Sequence, residues 1–165
     1  MIELSVPSFI GKEKKYLIDC IKTGWVSSGG KYVTLFEKKI KSITGAKYAV
    51  ACINGTSALH IALKLVGVKN DDEVIAPTIT FIASINAIKY NNANPIFMDV
   101  DKYFNIDIDK TLEFLKKNTF FNGNYSFNKK TKKRISAILI AHMYGNAANI
   151  GKIYRECKKR KIKIV

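Results

Sequence analysis

Three short stretches of this chain place small, hydroxyl, aromatic and imidazole residues where they could do chemistry. The first is Asn54-Gly55-Thr56-Ser57, set between the apolar YAVAC and the amphipathic ALHIALKLVG. If a helix opens at Gly55, its first backbone N–H groups have no intrahelical partner, and the helix dipole adds partial positive charge. A phosphate suits such a corner, with the Thr56 and Ser57 hydroxyls as further donors. On spacing alone a plainer role outweighs it, in which Thr56 or Ser57 caps the helix. The stretch is neither a Walker loop, since no Gly-Lys-Ser/Thr follows, nor a G-x-G-x-x-G turn. In the second stretch, PTITFIAS, Pro77 closes an apolar run and Phe81 could lay a flat ring against an aromatic group, although a single Phe is more often core. The third, HMYG, carries His142 and Tyr144 after the apolar run ISAILIA. A lone histidine there is a weak signal by itself.

The elements that must hold these corners follow from periodicity. Tyr16, Leu17, Cys20 and Ile21 among lysines predict a helix over 12–22, stopped by Gly24. Val33, Phe36, Ile40 and Ile43 predict a second helix, ended by Gly45. The looped WVSSGGKY lies between them. From Tyr48 the pattern alternates. Strands are predicted at YAVAC (48–52), EVIAP (73–77), PIFMDV (95–100), ISAILIA (135–141) and KIKIV (161–165). Helices are predicted at 56–66, 80–90, 109–117 and 147–161, and a polar loop from Asn118 to about Lys133. Such alternation argues for an open α/β sheet, mostly parallel, with helices on both faces. Ligands bind such sheets beyond the carboxyl ends of the strands, which is where all three corners fall. The division reads as an N-terminal helical segment with a loop at 1–45, followed by an α/β domain at 46–165. The last strand stops in mid-course at Val165, so the sequence reads as the front part of a longer, truncated domain.

Composition narrows the classes. A chain of 165 residues with 47% apolar content is globular in type. Apolar stretches such as AILIA (137–141) are far short of the ~20 residues a membrane helix needs. Lys12, Lys14 and Lys15 interrupt any apolar leader, which points to the cytoplasm. Cys20, Cys52 and Cys157 are three, far apart and without a C-x-x-C pair, so reduced, buried thiols are expected rather than disulfides or zinc. His60 and His142 are the only histidines, which leaves little to build a metal site on. The net charge of +15 suggests nucleic acid, but of 28 basic residues only Arg134, Arg155 and Arg160 are arginine. Base readout and bidentate phosphate contacts favour arginine, so the runs NKKTKKR (128–134) and KKRKIK (158–163) read as solvated faces. A basic module binding RNA, DNA or an acidic partner remains the reading from a different class, without an RNP, KH or helix-turn-helix signature to support it.

Taken together, TGWVSSGGKYVTLFEKKI, NGTSALHIAL, DEVIAPTITFIASINAIKYNNANPIFMDVD, NIDID and AHMYGNAANI resemble the DegT/DnrJ/StrS family of pyridoxal-phosphate-dependent sugar aminotransferases, in the family's order and across nearly the whole chain. The TGWVSSGGKY start is similar to members that aminate UDP-linked keto-deoxysugars for bacterial surface glycans. The resemblance implies the N-terminal part of the large domain of a fold-type I pyridoxal-phosphate enzyme, and a homodimer. It implies that Gly55, Thr56 and Ser57 hold the cofactor phosphate and that Phe81 stacks on its ring. Gly24, Trp25 and Ser27 would lie near the substrate entrance, with His142 and Tyr144 bordering the pocket. The implied reaction moves an amino group from glutamate to a nucleotide-linked keto sugar. The family's ring-nitrogen carboxylate and Schiff-base lysine would both fall after Val165, so the chain alone is expected to be inactive. Asp99 and Asp101 do not match the carboxylate's position and read as structural. A dehydratase branch, in which histidine replaces the lysine, stays open because the deciding position is absent. A fragment with no function of its own also stays open.

Overall fold

The computed structural model describes residues 6–165. The expectation of no apolar leader therefore falls partly outside the described residues. The chain divides into two compact units, Met1–Ala51 and Cys52–Val165.

In the first unit, α1 (Glu13–Thr23) and α2 (Lys31–Thr44) form where the three- and four-residue spacing places them. Each ends on a glycine in the left-handed region, Gly24 at φ 73° and Gly45 at φ 70°, a conformation that costs a Cβ-bearing residue energy. Neither helix buries a residue, and Leu17, Ile21, Phe36 and Ile43 are exposed. Asp19 ties the two helices together, pairing with Lys31 and accepting from the Tyr32 hydroxyl at 3.0 Å.

The second unit is the α/β layer. After α3 (Gly55–Leu65) come β1 (Glu73–Pro77), α4 (Ile82–Tyr90), β2 (Asn94–Met98), α5 (Ile108–Asn118), β3 (Thr119–Phe121), β4 (Ser126–Asn128), β5 (Arg134–Ile138), α6 (Ile150–Lys159) and β6 (Lys163–Ile164). The sheet runs β2-β1-β5-β4-β3, and β6 also pairs with β5. The pairs β1/β2, β1/β5 and β5/β6 are parallel. Side-chain alternation along β1 builds two cores. Val74 and Ala76 pack with Leu63 of α3 and with Ala87 and Ile88 of α4, whereas Ile75 packs with Leu115 of α5 and Ile153 of α6. Helices therefore cover both faces. Ile135 and Ile138 share the second core although they are three residues apart. Strict alternation would separate them, but the register slips after Glu73, which pairs with Ile135 while Val74 pairs with Ala137. The extra residue is Ser136, and the slip is a bulge.

Two expectations about the secondary-structure elements need correction. YAVAC forms no strand: Tyr48 and Val50 are exposed, and among the described residues the stretch pairs with no strand. An apolar run becomes a strand only when a neighbour takes its N–H and C=O groups. The loop predicted from Asn118 to Lys133 contains the antiparallel hairpin β3–β4. Its turn was signalled by Asn122-Gly123, with Gly123 at φ 93° and the Asn122 side chain accepting from the Asn124 and Tyr125 N–H groups at 3.0 and 2.8 Å.

No helix among the described residues is long and apolar enough to cross a membrane, and no group of three His, Cys, Asp or Glu there could hold a metal ion. The three thiols are free, but only Cys157 is buried; Cys20 is half-buried and Cys52 exposed, which corrects the expectation of uniform burial. Cys52 sits in the unpaired corner segment before α3, whereas Cys157 lies on the inward face of α6. Burial, with Glu156 adding repulsion, pushes the Cys157 thiol up to about 11. Thiol titration with a chromogenic disulfide should therefore label Cys52 first and Cys157 only on unfolding. Because the folded value lies above the ordinary 9.0, this thiol's contribution to stability is complete below that pH and is lost as pH rises towards 11.

Candidate active site

The helix α3 starts where the sequence predicts, but its cap is Asn54 rather than Thr56 or Ser57. Asn54 is extended, and its side-chain oxygen accepts from the Ser57 N–H at 2.8 Å. An Asx residue directly before a helix start is a capping signal, so this role was legible. With the cap assigned to Asn54, the Gly55 and Thr56 N–H groups and the Thr56 and Ser57 hydroxyls have no protein partner among the described residues. A Cβ built at Gly55 meets no atom within 4 Å, so the space before the helix is open. Free first-turn donors, two hydroxyls and open space fit the phosphate of the implied cofactor.

Topology sets this corner beside the others. The eleven residues of α3 and the five of β1 each span about 16 Å. The 66–72 connection returns from the end of α3 to the start of β1, and α3 packs on α4. The start of α3 therefore lies towards the carboxyl end of β1, where Pro77 is. Phe81 follows as the residue before α4, and its ring is 77% exposed, so it fills no core position. The turn Met143–Gly145 follows β5, which is parallel to β1, and so emerges at the same edge. Midway along α3, Asn91 donates to the His60 carbonyl at 3.1 Å and the His60 ring packs edge-on against Tyr90, which fixes α3 against α4.

The His142 turn is held from two sides. His142 Nδ1 accepts from the Ala148 N–H at 3.1 Å, which puts the proton of a neutral ring on Nε2. Tyr144 has φ 51° and ψ 27°, in the left-handed region, with its side chain 88% exposed. A bulky residue held there costs about 1–3 kcal/mol, and the exposed ring returns no packing for it. Tyr144→Asn should stabilise the chain by about 0.5–1 kcal/mol in urea unfolding, because Asn tolerates that region.

Asp99 and Asp101 have structural roles. Lys110 beside Asp99 holds that carboxyl below the usual carboxylate range, and the Val100 N–H adds to the effect. Asp101 accepts from the Tyr103 and Asn105 N–H groups at 2.8 and 3.0 Å.

Gly24, Trp25 and Ser27 belong to the first unit. The indole of Trp25 lies against Gly29 and Gly30, where an added Cβ would come within 3.6–3.8 Å of it. Trp25 and Ser27 line a cavity of about 80 Å³ together with Cys20 and Tyr32.

The sequence profile of the DegT/DnrJ/EryC1/StrS aminotransferase family matches residues 7–165. The chain belongs to this family. It is 36% identical to the GDP-perosamine synthase of Escherichia coli O157:H7, over 96% of this chain and 40% of that protein. It is also 36% identical to the GDP-perosamine synthase of Vibrio cholerae, over 100% of this chain and 41% of that protein. The chain thus spans about 40% of the length of the curated relatives it matches. NtdA from Bacillus subtilis, solved with bound cofactor PMP, is similar in structure, with TM-score 0.73 and 26% identity over 92% of this chain and 31% of that one. The family's fold accounts for the sheet with helices on both faces and for the order in which the corners occur.

Proposed function

We propose that this chain is the cofactor-cradling N-terminal part of a pyridoxal-phosphate-dependent aminotransferase that aminates a nucleotide-linked keto-deoxysugar for bacterial surface polysaccharide. The observation that carries this is the start of α3, where capping by Asn54 leaves the Gly55 and Thr56 N–H groups and the Thr56 and Ser57 hydroxyls free beside open space. In this reading those groups bind the cofactor phosphate, and the exposed Phe81 ring stacks on the pyridine. His142 presents its Nε2–H at the substrate side, and Tyr144 borders the same pocket. When bound, the cofactor supplies the electron sink for moving an amino group from glutamate to the keto carbon. Gly24, Trp25 and Ser27 serve the substrate entrance.

The relatives' names support a nucleotide-linked sugar and favour GDP over the UDP suggested by the TGWVSSGGKY start. In this reading none of the residues present is given a catalytic role. The exposed apolar residues of α1 and α2 suit a homodimer of the whole enzyme. The free thiols suit the cytoplasm. The unit boundary after Ala51 supports a helical segment followed by a cofactor-binding domain.

The experiment incubates the chain with pyridoxal phosphate, glutamate and GDP-, UDP- or dTDP-linked 4-keto-6-deoxysugar. The expected result is saturable binding of one nucleotide sugar by ligand-observed NMR, with no amino sugar formed. Amino-sugar formation by the chain alone would contradict the proposed division of labour. Failure of all three sugars to bind would contradict the substrate class.

A further inference from the structure

Asn105 is 3% exposed, and no part of the function described so far uses it. Its backbone is locked in both directions. The N–H donates to Asp101 Oδ1 at 3.0 Å, and the C=O accepts from the Asp101 N–H at 2.8 Å. The next residue, Ile106, is fully buried in the second core and bridges to Val100. Between these anchors Phe104 turns the chain at φ 63°. A side chain mounted on so fixed a loop has little freedom left to lose when it makes a contact.

That contact reaches across 38 positions of sequence. Asn105 Oδ1 accepts from the Met143 N–H at 3.1 Å. The donor identifies the oxygen end of the amide. Met143 opens the turn whose neighbours are His142, with its ring held by the Ala148 N–H, and the left-handed Tyr144. His142 and Tyr144 are both exposed, so the turn's shape is not held by burial of those side chains. A buried amide is therefore spent on orienting two surface side chains, one of them in a costly backbone conformation.

We propose that Asn105 is a positioning residue of the candidate site: its rigidly mounted side-chain oxygen fixes the 142–146 turn and, through it, the orientation of the His142 imidazole and Tyr144. The functional meaning rests on the reading of that turn as the substrate border. The readouts below need no cofactor or substrate, so this proposal and that reading can fail separately.

The test uses the whole chain, labelled with ¹⁵N, as wild type and as Asn105→Leu, Asn105→Ser and Asn105→Asp. Asn105→Leu removes the acceptor, Asn105→Ser is too short to reach Met143 and tolerates a loop, and Asn105→Asp retains an acceptor oxygen. Ring ¹⁵N spectra should show His142 as the Nε2–H tautomer in wild type and Asn105→Asp, and as a mixture in Asn105→Leu and Asn105→Ser. Hydrogen exchange at the Met143 and Ala148 amides should speed up about fivefold or more in the latter two and return close to wild type in Asn105→Asp. The Ile75 and Leu139 amides of the sheet should not move. If Asn105→Leu fails to fold, Asn105→Ser carries the comparison alone. An unchanged tautomer and unchanged Met143 exchange in Asn105→Ser would overturn the proposal. So would a variant that loosens all amides equally, because that is loss of stability without local positioning.

Discussion

Replacing Arg134 by methionine should destabilise the Cys52–Val165 unit by about 3–5 kcal/mol in urea unfolding. The guanidinium grips Asp72 with both arms: Nε donates to Oδ1 at 2.8 Å, and Nη2 donates to Oδ2 and also to the Gly67 carbonyl. Asp72 also accepts from the Lys69 N–H at 2.7 Å, and its side chain is 8% exposed. Arg134 itself stacks over the Tyr125 ring. It thus joins the first residue of β5 to the 66–72 connection that returns from α3 to β1. Removing Arg134 alone leaves a buried carboxylate without its counter-charge, which costs far more than the net worth of the pair. Arg134→Met combined with Asp72→Asn should recover most of the loss. A double variant as unstable as the single one would show that packing, not charge, governs this contact.

The second large effect concerns binding. Gly55→Val should weaken pyridoxamine phosphate binding about 10- to 100-fold while leaving the thermal midpoint nearly unchanged. The side chain would enter space that no protein atom occupies, so the fold has little to lose. Valine is a better helix former than glycine by only a few tenths of a kcal/mol, so helix propensity does not oppose the change. The phosphate, however, would be displaced from the free first-turn N–H groups. Losing charge-assisted hydrogen bonds costs about 1.5–3 kcal/mol, which is the affinity change stated. A midpoint lowered by several degrees with affinity intact would mean that Gly55 serves the fold.

What the sequence disclosed follows the range of the interactions involved. Local periodicity and glycine stops placed α1, α2 and, apart from β3 and β4, the alternating elements from α3 to β6 to within a few residues. The 48–52 stretch failed because strand character there depends on a pairing partner, and among the described residues it has none. The β3–β4 hairpin was hidden because its strands are three residues long, too short for alternation to register, although Asn122-Gly123 marked its turn. At the candidate site the motif residues were readable because they sit on local turns. The division of labour at the α3 corner was not read from the sequence, since Asn54 takes the capping role and thereby frees Thr56 and Ser57. Asn105 escaped notice because its partner, Met143, is near only in three dimensions.

The central claim is that the start of α3 seats the cofactor phosphate. It is tested most directly by amide NMR of the ¹⁵N-labelled chain titrated with pyridoxamine phosphate. The amine form lacks the aldehyde, so it cannot form adducts with the many surface lysines. The account predicts saturable shifts centred on the Gly55, Thr56 and Ser57 amides, much reduced when inorganic phosphate competes and absent with pyridoxamine. Saturable binding that leaves those three amides unmoved, or no binding at millimolar ligand, would contradict it.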